Sequence, residues 1–359
     1  MRSIRVVTAL AALSLSFAAG MLLRPRIFLW VKTAFPFLTD KLEIVEIPRP
    51  PKLLHGSKVS PSPIPRFEPA VAAARGKLYV FGGFDRVGFM ASRRCDSFDP
   101  ASGTWTEIAP MPAAVTHAGA AVAGDEVWIA GGFSGNHPGP VTSAVWRYHL
   151  IRNSWTPGPL LPQARASGAL AFVNGKLHFF GGLLADRQTG ARDHWTLTLS
   201  DATLEWKPHA ALAPARNHFS AAVVGNRVHV IGGQYGHDPT IEDVTLHDVY
   251  DAATDSWSQA APLLRPRSHT EPGTFVYDGR IFVAGGRSND IPVLHDLHAY
   301  DPATDRWEVL PGLPEPLRAP VVRILGDSIY AGLGGTTLTG LTPIQDWWKF
   351  PLSQVVASR

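Results

Sequence analysis

The chain has 359 residues, 45% of them apolar and 18% charged, which excludes a disordered, highly charged polypeptide. A single cysteine excludes a disulfide framework and a cysteine-rich zinc site. The formal net charge of +3 is too small to argue for a nucleic-acid partner unless it is clustered.

Arg2 and Arg5 precede an uncharged run from Val6 to Leu23. Ala18, Ala19 and Gly20 are small residues suited to signal cleavage, and the run is also just long enough to span a bilayer core. Residues 1–26 are therefore read as a signal peptide or a membrane anchor, with the bulk of the chain exported, periplasmic or extracellular. Arg24, Arg26 and Lys32 follow the run, so basic residues flank both sides and orientation is not decided. Prolines at 48, 50, 51, 61, 63 and 65 forbid helix there. Residues 27–55 are read as a juxtamembrane, proline-rich linker.

One period governs the rest. Gly-Gly doublets begin at Gly82, Gly131, Gly181, Gly232, Gly285 and Gly334, with spacings of 49, 50, 51, 53 and 49. Trp105, Trp155, Trp206, Trp257 and Trp307 recur with nearly the same period. A glycine turn precedes each doublet, as in Asn174-Gly175 and Gly225-Asn226. The runs between turn and doublet (LYVFGG, VWIAGG, LHFFGG, VHVIGG, IFVAGG, IYAGLGG) read as buried strands. The strand before each turn is small and apolar. An aromatic-Asp-Pro type turn, as in AYDPATDRW, joins two outer strands. Each copy is thus a four-stranded antiparallel sheet, and six such sheets close radially. The glycines and tryptophans are read as turn and core.

Gly-Gly, then Tyr/Phe-Asp-Pro, then Trp at this period resembles the kelch repeat, over about residues 56–352. The resemblance implies an all-β, six-bladed kelch-type propeller, with residues 353–359 as a C-terminal tail. Tyr148-His149-Leu150 and Leu199-Ser200-Asp201 depart from the turn pattern in copies two and three. Copy six is one strand short. Its spacing assigns Gly56–Ser60 as the closing strand, with Leu42–Ile47 as the rival of better strand propensity.

In kelch propellers the axial mouth is lined by the loops after the doublet and by the start of each inner strand. Phe84, Phe133, Leu183, Gln234, Arg287 and Thr336 follow the doublets. Arg66, Val115, Arg165, Arg216 and Arg318 stand sixteen residues before them, and Arg267 eighteen before, in a copy two residues longer. Glu68, His117, Ser167, His218 and His269 lie two residues on. The expected ligand set is Arg66, Phe84, His117, Phe133, Arg165, Arg216, His218, Gln234, Arg267, His269, Arg287 and Arg318. It forms a basic, Arg/His-lined mouth for an acidic saccharide or a protein or peptide ligand. The rival reading is that these side chains bond backbone between blades.

His117, His218 and His269 could together offer three imidazoles to zinc or copper, but they come from separate copies around a ring whose radius sets whether they converge; no metal and no cofactor is expected. Galactose oxidase carries kelch-like repeats and a copper site, but Cys95 lies beside an aromatic-Asp turn and reads as a plain buried thiol. Glu271, in the longer loop of copy five, is the catalytic candidate, with Arg267 or Arg287 as partner and Glu68 as a second acid. That alternative makes the chain an exported mutarotase resembling N-acetylneuraminate epimerase, an analogy at the level of fold, export and charge.

Overall fold

A computed structural model describes residues 52–86, 88–238, 240–336 and 341–356. The expected export or anchor segment and the rival strand Leu42–Ile47 lie outside the described residues. Among those described, no helix is long and apolar enough to cross a membrane.

The chain forms six four-stranded antiparallel sheets, the blades of a propeller. Blade 1 runs outward through Ala70–Ala74, Lys77–Phe81, Cys95–Asp99 and Thr104–Ile108. The inner strands of blades 2 to 6 are Gly119–Ala123, Ala169–Val173, Ser220–Val224, Thr274–Tyr277 and Val321–Leu325. Blade 6 is completed by Ser57–Lys58, which pairs with Trp347–Pro351 in the register Ser57↔Lys349 and Lys58↔Trp348. The closing strand thus falls within Gly56–Ser60.

Local chemistry explains the hairpins. Asn174 and Gly175 both have positive φ (51° and 75°), which gives a two-residue turn the hand of the strand twist. The doublets act between blades. Gly132 N–H donates to Arg165 O of the next blade at 2.8 Å, and a Cβ on Gly131 would sit 2.6 Å from the same oxygen. Glycine leaves that approach free and takes the positive φ without strain.

The core is divided among the gaps between blades rather than gathered at one centre. Blades 1 and 2, for example, enclose Phe81, Met111, Ile129 and Tyr148. The repeated tryptophans fill the outer part of these gaps and tie each blade to the one before. Trp155 Nε1 donates to Ala109 O, Trp257 Nε1 to Ala210 O and Trp307 Nε1 to Ala261 O, each at 2.8 Å.

Three boundaries differ from the sequence reading. Leu54, expected in the linker, is buried against Leu310, Leu313 and Phe350, and Leu54 N–H donates to Gly312 O at 2.7 Å. Val355, expected in the tail, is buried in the same cluster. In blade 6, Leu333 (φ 53°) and Gly334 (φ 85°) take the places that the doublet takes elsewhere, and Gly334 N–H donates to Arg66 O of blade 1. Gly334-Gly335 is therefore one residue out of register with the other doublets. Leu317, not Arg318, is the counterpart of Arg66.

Candidate functional site: the propeller axis

The inner strand of each blade is entered through one non-glycine residue with positive φ: Glu68, His117, Ser167, His218, His269 and Ala319, all between 49° and 57°. Their backbones are linked from blade to blade. His117 N–H donates to Glu68 O, Ser167 to His117, His218 to Ser167, His269 to His218 and Ala319 to His269, at 2.9 to 3.3 Å. This conformation is costly for side-chain-bearing residues and persists where surrounding structure imposes it. Here it brings five polar side chains to the axis.

The side chains interlock. Glu68 Oε2 meets His117 Nε2, and Glu68 Oε1 lies 3.5 Å from His269 Nε2. Ser167 Oγ is 3.1 Å from His218 Nε2. The His218 and His269 rings stack with centroids 4.2 Å apart. Arg318 Nη2 contacts His269 Nε2. Burial first, then neighbouring imidazoles and guanidiniums, holds His218 and His269 well below the usual imidazole range, so both are neutral at pH 7.

Below the ring, toward the inner-strand turns, lies a cavity of about 110 Å³ lined by residues including Glu68, His117, Ser167, Glu271, Thr274 and Arg323. A wider cavity of about 390 Å³, walled by alanines, valines and Phe172, shares Arg323 with it. Glu271 opens a single 3₁₀ turn, Glu271–Gly273, that accounts for the extra residues of copy five. Its carboxyl is pushed up to about 8 by burial and then by the Glu68 carboxylate, against a weaker pull from Arg318. Arg323 Nη1 donates to Pro272 O and Val322 O at 2.6 Å, and burial lowers its guanidinium to about 10.

The expected arginine ring does not form. Arg66, Arg216 and Arg267 are wholly buried and pair with Asp96, Asp248 and Asp296 at 2.6, 2.6 and 2.9 Å. Arg165, almost as deep, meets Asp193. These arginines also reach backbone carbonyls, as Arg66 does with Gly82 O and Arg216 with Gly232 O. They clamp the doublet strands and do not touch the axis. Arg318 does reach the axis, because its one-residue offset turns its side chain to the other face.

Phe84 and Phe133 are also buried, edge-on to His117 at 5.8 and 5.1 Å between centroids. Gln234 is buried with its Oε1 accepting from Ser268 Oγ at 3.0 Å. Arg287 Nη2 faces Asp243 Oδ2 at 3.6 Å. None of Phe84, Phe133 and Gln234 is an open ligand surface, because loops after the doublets fold over them. Phe89 lies edge-on to Phe84 and Arg187 stacks on Phe133. Glu271 lines one cavity with Glu68 and His117, and neither Arg267 nor Arg287 lines it. Cys95 is fully buried, its thiol pushed up to about 12 by burial, and is no ligand.

Two groups were missed from sequence. Arg323 is the only charged side chain in the six inner strands, and VVRIL against AVAAA, GAAVA, ALAFV, SAAVV and TFVY was the readable signal. The second is Glu68 as the partner of two of the histidines: ligand atoms of Glu68, His117 and His218, rather than His269, all lie within 4.8 Å of one another.

Six blades hinged at glycines, tied by tryptophans and enclosing a polar axial ring define a repeat propeller with a potential ligand cavity on its axis. Residues 135–335 match the family described as the KLHDC2/KLHL20/DRC7 Kelch-repeats domain, and residues 65–112 match the Kelch motif. The chain belongs to the kelch-repeat family. It is 26% identical over 309 residues to Kelch-like protein terF of Aspergillus terreus, covering 80% of this chain and 65% of that one. It is 29% identical to Kelch-like protein 36 of Rattus norvegicus, covering 70% of this chain and 41% of that one. The matches to these two relatives span less than two thirds of the relatives' own length. A solved structure titled "Structure of YjhT" has the same fold, with a TM-score of 0.64 at 14% identity, covering 79% of this chain and 95% of that one.

Proposed function

We propose that the chain is a binding propeller that takes an acidic group of its partner, a peptide or saccharide carboxylate, into the axial cavity at Arg323. One observation carries this reading. Arg323 lines both cavities with only backbone carbonyls as hydrogen-bond acceptors, whereas each deep blade arginine has an aspartate. A half-buried guanidinium without a counter-ion gains from an incoming carboxylate, which it can hold by two parallel bonds. Kelch propellers generally bind proteins, which favours a protein or peptide carboxylate. Export of the chain, with membrane contact only through residues 1–26, belongs to the same proposal.

The test is a thermal-shift and calorimetric panel on the full chain. Acidic peptides, acidic monosaccharides and their neutral counterparts are compared at fixed ionic strength. A specific ligand at about 100 times its Kd stabilises the chain by ~2.7 kcal/mol. The reading requires that shift from an acidic ligand and its loss in Arg323→Gln. A ligand whose shift survives that substitution binds elsewhere and sinks it, as does a panel with no shift.

A second reading, an acid–base enzyme such as a sugar mutarotase, is favoured by Glu271. Glu271 and Glu68 face one cavity, and at pH 7 Glu271 keeps its proton. A protonated carboxyl beside a second carboxyl group in one cavity suits proton donation. Anomer exchange of an acidic sugar, followed by NMR, must be faster with the wild type than with Glu271→Gln.

A further inference from the structure

We propose that Glu68, His117 and His218 form a site for one divalent transition-metal ion on the propeller axis, zinc or an ion of similar chemistry. This goes beyond carboxylate binding at Arg323 and involves different side chains.

The donor set is two imidazoles and a carboxylate, a combination that suits zinc with an open position and non-haem iron(II). Their ligand atoms already lie within 4.8 Å of one another. Four-coordinate zinc at ~2.1 Å from each ligand spaces its donors ~3.4 Å apart, so the direct Glu68–His117 contact must open and the longer separations must close, by roughly 1 Å each, within reach of side-chain torsions. The cavity wall includes Glu68 and His117, which supplies an entry path.

The ring nitrogens are set up for it. Asn217 Nδ2 donates to Gly236 O at 3.1 Å, which turns the amide oxygen toward His218 Nδ1, 2.6 Å away. Nδ1 of His218 therefore carries the proton and Nε2 presents its lone pair to the axis, where the Ser167 hydroxyl now lies. His117 Nδ1 lies 2.8 Å from Thr116 Oγ1, which can accept its proton and free Nε2 in the same way. Each imidazole thus has a neighbour that fixes the tautomer a metal requires. Glu68 supplies the independent sign. It is 6% exposed, and its Oε1 has no hydrogen-bond partner. In the ion-free state Glu68 Oε2 and His117 Nε2 contact each other directly, and the ion would take its place between them.

His269 is excluded by the same reasoning. Its Nε2 is taken by Arg318 and its Nδ1 lies 2.8 Å from Ser268 Oγ. Arg318 and Arg287 add positive charge near the ring, and the Asp243 and Glu68 carboxylates act against it.

The experiment is a cobalt(II) titration of the chelator-treated full chain, read by the visible d–d bands of a four-coordinate ion, followed by displacement with zinc. One cobalt per chain is expected. Glu68→Gln and His218→Gln each weaken binding at least tenfold, and His269→Gln leaves it within twofold. Circular dichroism and melting check that each variant is folded; if His218→Gln is not, Glu68→Gln decides. Absence of saturable one-to-one binding overturns the site, as does wild-type affinity in folded Glu68→Gln or loss of the ion in folded His269→Gln. Arg323→Gln keeps the metal whatever it does to carboxylate ligands, so the two proposals fail separately.

Discussion

Arg216 Nη2 lies 2.6 Å from Asp248 Oδ2, and neither side chain is more than 5% exposed. The guanidinium also donates to Gly232 O and Val230 O, so it joins three positions of blade 4. Removing one partner strands a buried charge and two carbonyls. Arg216→Ala should lower stability by about 3–5 kcal/mol in urea denaturation. A double replacement, Arg216→Met with Asp248→Leu, should cost clearly less, because it removes both charges.

Arg323 should behave in the opposite way. It is the same residue type without a carboxylate partner, lowered to about 10 by desolvation alone. Arg323→Leu should leave stability within about 1 kcal/mol of wild type or raise it. A loss as large as that of Arg216→Ala in the same urea series would mean that Arg323 is a strut, and carboxylate capture would lose its basis.

The contrast between these arginines shows where sequence reading stopped. Doublets and tryptophans at one period carry the six blades, because each marks a contact that recurs in every gap. An arginine at the start of an inner strand does not say which way it turns. The aspartates Asp96, Asp193, Asp248 and Asp296, about thirty residues on in the same copies, were the readable sign that it turns into the blade. Blade 6 misled because Leu333 stands where a glycine is usual, so the doublet at Gly334 shifted the alignment by one and made Arg318 look like the others. Glu68, His117, Ser167, His218 and His269 were in correct register, but their convergence depends on the channel radius, which no spacing encodes.

Leu54 tests the closure. It lies four residues or fewer from the two-residue closing strand and is 2% exposed between blades 5 and 6. Leu54→Ala should cost about 2–4 kcal/mol by lost burial and cavity formation. Urea curves should show the loss; a change under 1 kcal/mol would mean that the segment before Ser57 is dispensable for closure.

Two histidine pairs make the fold acid-sensitive. His229 Nδ1 lies 2.9 Å from His247 Nε2, and His247 Nδ1 lies 3.1 Å from Ala261 O, a chain that two neutral rings complete and that cannot form with both rings protonated. His178 and His194 repeat the pairing in blade 3 at 3.0 Å. Burial lowers His178 and His247 to about 4 and His194 and His229 to about 3. Unfolded histidine titrates near 6.5, so between about 3 and 6.5 the unfolded chain binds more protons. Stability should therefore fall as pH drops below 6.5, by up to ~1.4 kcal/mol per pH unit for each histidine. Urea midpoints at pH 7 and pH 5 should differ in that direction, and replacing His229 and His247 together by leucine should shrink the difference.

Glu271 contributes with the opposite sign. Its carboxyl titrates at about 8 in the fold against 4.5 for the free group. Between those values the folded chain holds a proton that the unfolded chain has released. Its contribution is fully present below 4.5 and is lost as pH rises to 8, at no more than ~1.4 kcal/mol per pH unit. Glu271→Gln keeps a neutral, hydrogen-bonding side chain at every pH. It should raise stability relative to wild type at pH 8 and change it little at pH 4.5. Equal effects at both pH values would mean that Glu271 titrates as an ordinary carboxylate. Glu271 would then be ionised at pH 7, and proton donation from it to a bound sugar would have no source.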